Sequence, residues 1–405
     1  MPNETENVGI SGEKLVENFF DSRFSKIFSF ANPKTKDNAE ITDVLIWMNR
    51  VALLIEVKTR DQSEGTTSIN NWARNRMERA VEQLEKGYNR IKSKETIFLN
   101  NSLYQTQLDC EGISQIIGLI VLVYDEECNI YPSDYLSEIY KKELPIHVIS
   151  WSDLEKLIHD IDTVPDFIYY LNDRYNFLKH NDLPLNRELN VLGIYKNNEN
   201  KFPTKTFDFL NYDYWSEYQR TKVDEIKLRN EHNKHSVWID KIEAIFTDKR
   251  KLFDGYPLGL YFAWELGSIS RRERAMLGEK LDSVQEWFES GKSSRQFAYQ
   301  NSATHNWIIF YFSKTDQDKQ AIDLERLVRL KLIQSIHGEN FKFGVYGLGF
   351  LVSKTYPIRF LGFGSAIVMS LDGVDTYTDE ELEIARRMWG QKKEFKIEEF
   401  PTTKV

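Results

Sequence analysis

The chain has 405 residues, 41% of them hydrophobic and 13% aromatic, with a formal net charge of −9. That length exceeds what one core ordinarily organises, so two domains are expected. The composition excludes a low-complexity or collagenous chain, no run of eighteen apolar residues suggests a membrane helix, and net acidity argues against a general polyanion binder.

In chain order, Met1–Asn7 reads as a disordered start. Ser11 reads as an N-cap with Ile10 and Leu15 as a hydrophobic staple, opening a helix from Gly12 to about Ile27. A strand is expected near Ile27–Asn32, then two apolar strands, Ile41–Trp47 and Val51–Lys58, separated by the short break Asn49-Arg50. A polar loop, Asp61–Asn71, leads into a long helix whose stripe is Met77, Val81, Leu84, Tyr88 and Ile91. Ile116–Tyr124 is a continuous apolar run and reads as a buried strand, followed by a strand at Pro145–Ser150 and helices from Ser152 and Val164. His180–Pro184 marks the boundary, giving domains 1–180 and 185–405. Beyond it strands are expected near Glu188–Tyr195, Trp307–Ser313, Phe343–Val352 and Ile358–Met369, with helices at Ser270–Ser290, Ile322–Ile336 and Asp379–Trp389.

Charge is unevenly placed. The whole acidic excess falls in residues 1–180, and the remainder is neutral. Residues 72–94 reverse the local balance with Arg74, Arg76, Arg79, Lys86, Arg90, Lys92 and Lys94, a basic strip suited to a phosphate backbone. Cys110 and Cys128 are too few for a disulfide framework, and with no signal-peptide pattern a cytoplasmic protein without a membrane partner is expected.

Three charged residues interrupt the two apolar strands: Asp43, Glu56 and Lys58. If Asn49-Arg50 is a two-residue hairpin loop with Met48 facing Val51, antiparallel counting sets Asp43 directly opposite Glu56. The period of two then places Lys58 on the face that both carboxylates share. Like charges held that close on buried strands need compensation, and a divalent cation supplies it.

The spacing Asp43, twelve residues, then Glu56-Val57-Lys58, in paired strands behind a first helix, resembles the PD-(D/E)XK, or restriction-endonuclease-like, nuclease superfamily. Thr42 stands where the family name has proline. The resemblance covers about residues 10–175. It implies an α/β fold with a mixed sheet flanked by helices, followed by a C-terminal α+β domain of unassigned fold. It also implies Mg²⁺ or Mn²⁺ held by Asp43, Glu56 and the Val57 carbonyl, with Lys58 handling the attacking water. Glu17 in the first helix and Gln83 in the helix after the second strand are further site candidates, and Arg76, Arg79 and Arg90 are candidate nucleic-acid contacts. Tyr88 falls five residues after Gln83, not the four of the recombination-type variant.

The expected activity is metal-dependent phosphodiester hydrolysis, DNA being the favoured substrate, in the manner of restriction or anti-phage effectors. The alternatives are an RNA- or tRNA-cleaving effector and a non-catalytic nucleic-acid-binding scaffold. The C-terminal half is expected to bind a protein partner or to self-associate. His232 and His235 have metal-like spacing without a recognised companion and read as surface histidines. Gly347-Leu-Gly349 and Gly362-Phe-Gly364 lack the lysine of a P-loop.

Overall fold

The computed structural model describes residues 4–24, 26–60, 68–125, 131–132, 143–181, 183–205, 207, 209, 211–247, 258–291, 293–338, 344–351, 362–369 and 377–389. The chain divides into two compact units, Met1–Arg229 and Asn230–Val405. Both mix helix and sheet, in line with the expected α/β class. No described helix is long and apolar enough to cross a membrane.

In the first unit the elements run α1 (Glu4–Arg23), β1 (Ser29–Ala31), β2 (Lys34–Thr35), β3 (Val44–Met48), β4 (Val51–Thr59) and α2 (Ile69–Lys92). They continue with β5 (Ile97–Asn100), β6 (Gln105–Gln107), β7 (Gln115–Val123), β8 (Ile146–Ser150), α3 (Trp151–Asp160), α4 (Val164–Leu178), α5 (Glu188–Asn197) and α6 (Tyr214–Thr221). Five strands form one mixed sheet in the order β1-β3-β4-β7-β8. β1, β3 and β4 are antiparallel neighbours, whereas β4, β7 and β8 run parallel. α2 is the crossover that parallel β4 and β7 require.

The two faces of β4 carry different helices. Ala52 and Leu54 join a core with Met77, Ala80, Val81 and Leu84 of α2. On the opposite face α1 approaches so closely that a Cβ on Gly12 would come within 1.8 Å of Thr59 Oγ1. Phe20 of α1 and Phe24, just after it, then meet Phe167 of α4 at ring distances of 6.3 and 5.5 Å. Burial on both faces explains the near-continuous apolar reading of β4 and β7.

α1 begins at Glu4, so Ser11 lies inside the helix and not at its start, and Glu4–Asn7 is helical where disorder was expected. The expected disorder at Met1–Asn3 and residues 61–67 of the expected loop lie outside the described residues, while Ile69–Asn71 belong to α2 and not to the loop.

Two expectations near residue 180 are corrected. Glu188–Tyr195 is not a strand but α5. Val191, Leu192, Gly193, Ile194 and Tyr195 are all buried, so no exposed face reveals the helical period. The compact unit also runs past the expected 180–184 boundary, to Arg229. A buried polar clamp holds the continuation in place. Arg174 on α4 donates through Nε and Nη2 to the two oxygens of Glu188, each at 2.7 Å, and Tyr170 donates to the same carboxylate at 2.5 Å. Arg174 and Glu188 are each 2% exposed.

The second unit contains α8 (Val237–Thr247), α9 (Leu258–Gly267), α10 (Arg271–Glu289), β9 (Ser294–Gln300), β10 (Trp307–Ser313), α11 (Gln317–Gly338), β11 (Val345–Leu351), β12 (Gly362–Met369) and α12 (Asp379–Trp389). α7 (Val223–Asn233) spans the division between the units. Its sheet order is β12-β11-β10-β9, with β10 and β11 parallel and both edges antiparallel. Ser270 caps α10 in a full capping box with Glu273. The strands and helices expected from residue 270 onward appear, and α8, α9 and β9 are additions. The start expected for β12 at residues 358–361 lies outside the described residues. His235 pairs with Asp282, and His232 lies 3.8 Å from Glu279, so both histidines face carboxylates of α10.

Glu188→Ala strips a buried guanidinium of its carboxylate. It is expected to cost the first unit about 3–5 kcal/mol, read by urea unfolding. A loss below 1 kcal/mol would show that α5 is held by something else.

Candidate active site

The β3–β4 hairpin turns on Asn49-Arg50, with Met48 paired to Val51 and Val44 to Ile55. Asn49 adopts a positive φ of 52°, a conformation asparagine tolerates and tight hairpins need. Trp47 Nε1 donates to Asn49 O at 2.9 Å and ties the turn down. Continuing the register by one pair puts Asp43 opposite Glu56, just beyond the last ladder pair.

There the backbone leaves the ladder and side chains take over. Val57 N donates to Asp43 Oδ2 at 2.6 Å, and Thr42 Oγ1 donates to Ile55 O at 2.7 Å. Lys58 Nζ lies 2.7 Å from Glu56 Oε2 and 3.6 Å from Asp43 Oδ2. All three groups therefore meet, as the hairpin count requires. Glu56 is 1% and Asp43 8% exposed. Burial first, and Asp43 second, push the Glu56 carboxyl up to about 7, against the pull of Lys58.

With both carboxylates ionised, one ammonium serves two buried negative charges and the trio is one positive charge short. Its free donors are hard oxygens. The Val57 N–H points toward β3, and by strand geometry the Val57 carbonyl points the same way. Two carboxylates and a backbone carbonyl suit a cation such as Mg²⁺, which keeps several waters. No third carboxylate, histidine or cysteine joins them among the described residues.

Glu17 does not reach this cluster. It sits on α1, against the other face of β4, and the charges around it are Asp21 and Lys14. Its carboxyl is raised chiefly by burial. Glu40 lies nearer than Glu17 and feels both Asp43 and Lys58.

Gln83 is placed by packing. A Cβ on Gly87 would come within 2.6 Å of Ile41 O and 3.3 Å of Leu54 Cδ1, while one on Gly118 would lie 3.1 Å from Leu84 Cδ1. Leu54 pairs with Gly118, so the Leu84–Gly87 turn of α2 covers that level of the sheet. α2 runs back against β4, and one helical turn of about 5.4 Å roughly matches two strand residues. The preceding turn, Ala80–Gln83, therefore covers the level of Glu56. Gln83, four residues before Gly87, lies on the side of Ile41 and Asp43. It is exposed, and no hydrogen bond ties it to the carboxylates.

Arg76 continues the Gly87–Gln83 stripe toward the start of α2 and is half-buried, while Arg79 is exposed beside it. Arg90 is not brought to the site. It lies at the opposite end of α2, bonded to Thr35 Oγ1 and Glu95, each at 3.3 Å. Seven residues of helix, about 10 Å, separate it from Gln83. Helical angle grouped these arginines in the sequence; distance along the axis divides them.

Three participants escaped the sequence reading. Thr42 hydrogen-bonds beside Glu56, Gly87 lets α2 close on Ile41 and Leu54, and half-buried Arg60 follows the end of β4 two residues after Lys58. The alternation that linked Glu56 to Lys58 would have reached Arg60 had it been carried two residues further.

The chain matches no protein-family model, no curated protein and no solved structure.

Because the Glu56 carboxyl is raised in the folded state from 4.5 to about 7, folding takes up a proton between those values. Its stabilising contribution is full at low pH and is lost as pH rises from about 4.5 to about 7. Urea unfolding of the metal-free protein should show this downward slope, and Glu56→Gln should lack it. Parallel pH profiles for the two proteins would remove the buried carboxyl from the pH dependence.

Proposed function

We propose that the first unit is a divalent-cation-dependent nuclease that hydrolyses phosphodiester bonds, with DNA as the favoured substrate. One observation carries this reading: Asp43 and Glu56 converge on buried paired strands with Lys58 as their only close cation within the trio. The restriction-endonuclease-like resemblance of the sequence motif supports it.

Asp43, Glu56 and the Val57 carbonyl would hold Mg²⁺ or Mn²⁺. Such an ion, when bound, supplies Lewis-acid polarisation of a phosphoryl oxygen and a more acidic water. The chain's own groups do the rest. Val57 N–H engages Asp43 Oδ2 and so leaves Oδ1 for the cation. Burial of Glu56 lowers the local dielectric and strengthens each charge interaction at the cluster. Lys58 can turn its N–H donors from Glu56 Oε2 toward the attacked phosphate, where negative charge develops. Gln83, Arg76 and Arg79 of α2 lie on the helix that covers this end of β4, suited to grip the phosphate backbone.

The test is incubation of the full chain with plasmid, linear duplex, single-stranded DNA and RNA, each with Mg²⁺, Mn²⁺ or EDTA. Cleavage of DNA with metal and none in EDTA is expected; preference for RNA would select the ribonuclease alternative. Asp43→Asn, Glu56→Gln and Lys58→Ala should each slow cleavage by roughly 10²–10³-fold while the protein stays folded. Wild-type rates in any of them would remove that residue from the chemistry. No cleavage under any condition would favour the scaffold alternative.

Arg76→Ala combined with Arg79→Ala should weaken binding to duplexes of any sequence. It should also lower the salt slope by roughly one to two. An unchanged slope in a fluorescence-anisotropy titration would take α2 out of the interface.

A further inference from the structure

The sheet of the second unit ends on β9, and among the described residues no strand pairs with its outer side. The groups facing outward can be deduced from the hairpin. Asn301 N donates to Asn306 O, and Lys314 N donates to Ser293 O, in the register that pairs β9 with β10. Alternation then turns the N–H and C=O of Arg295, Phe297 and Tyr299 toward β10. Those of Ser294, Gln296, Ala298 and Gln300 turn outward. The Ser294 carbonyl is taken by Trp287 Nε1 at 2.9 Å. Among the described residues the backbone groups of Gln296, Ala298 and Gln300 remain as an open edge.

Edge strands are ordinarily guarded by charge, proline or a bulge. Gln296–Gln300 has no charged residue and no proline, and its register with β10 is unbroken. Phe297 and Tyr299 are only half-buried there, although Phe297 closes a stack of rings that crosses the sheet. Phe297 and Phe310 lie 4.9 Å apart, and Phe312 and Phe350 5.0 Å apart. The segment reads Gln, aromatic, Ala, aromatic, Gln, the same chemistry in both chain directions.

We propose that this edge pairs antiparallel with the same edge of a second copy of the chain, about a two-fold axis at Ala298. In that register Ala298 faces its own equivalent, and the small side chain lets the strands close. Gln296 faces Gln300 of the second copy, and Phe297 faces Tyr299 of the second copy. The open N–H and C=O groups of all three outward residues find partners, and no charge is buried. Trp287 lies beyond the paired stretch and keeps its bond to Ser294. A different strand could satisfy the backbone equally well. The chemical palindrome gives a two-fold copy matched side chains at every pair.

Sedimentation equilibrium of the full chain tests this. The wild type should weigh twice the chain mass at micromolar concentration. Gln296→Lys with Gln300→Lys sets lysine against lysine at two pairs, and should weaken self-association by roughly tenfold or more. Gln296→Glu with Gln300→Glu should do the same, and mixing the two variants should restore the dimer. Ala298→Pro removes only an outward N–H and should also give monomer. A monomeric wild type, variants that stay dimeric, or charged variants that fail to pair when mixed would each overturn the proposal.

Discussion

Two strands joined by a two-residue turn have no freedom of register, and the first unit is organised around that restriction. Once Asn49 accepts a positive φ and Met48 meets Val51, every later pair is dictated. The last consequence of the count is the meeting of Asp43 with Glu56. A one-residue slip would send Asp43 to the other face and bury it against α1. The same turn that orders the apolar core therefore also assembles the only buried pair of carboxylates on this sheet face among the described residues.

Keeping that pair in a folded protein demands compensation from several directions. Lys58 answers part of the charge, the Val57 amide and the Thr42 hydroxyl answer part of the hydrogen bonding, and burial leaves Glu56 holding its proton more tightly. The apolar neighbours Leu54, Ile55 and Val57 surround the cluster on its own strand. They make the residual imbalance more costly than it would be in water. That cost is what the proposed hard cation would relieve at this end of the sheet. The parallel crossover then contributes α2, whose Ala80–Gln83 turn covers the level of the cluster and whose next turn closes on Ile41 at Gly87, where a side chain could not fit. Packing and the proposed chemistry thus share the same few residues.

The second unit solves a different problem with the same backbone rules. Its parallel β10–β11 pair is flanked by antiparallel edges, and its helices leave β9 at the margin. There the alternation of hydrogen-bonding groups decides what is offered outward, just as it decides which side of β4 holds the Val57 carbonyl.

The hairpin, the opposition of Asp43 and Glu56, the place of Lys58, and the longer strands and helices around them are legible in the residues alone, whereas β2, β5, β6, β9 and α6–α9 are not. The former depend on short-range geometry, in which neighbours along the chain are neighbours in space. Only the tertiary structure decided the rest. It separated Glu17 from the cluster, because α1 packs on the far face of β4. It separated Arg90 from Gln83, because α2 has length as well as faces. It made α5 a helix, held by Arg174 on Glu188 across a chain distance that periodicity does not see, and it carried the first unit to Arg229. Side-chain pattern reports which face a residue occupies; only packing tells what that face meets.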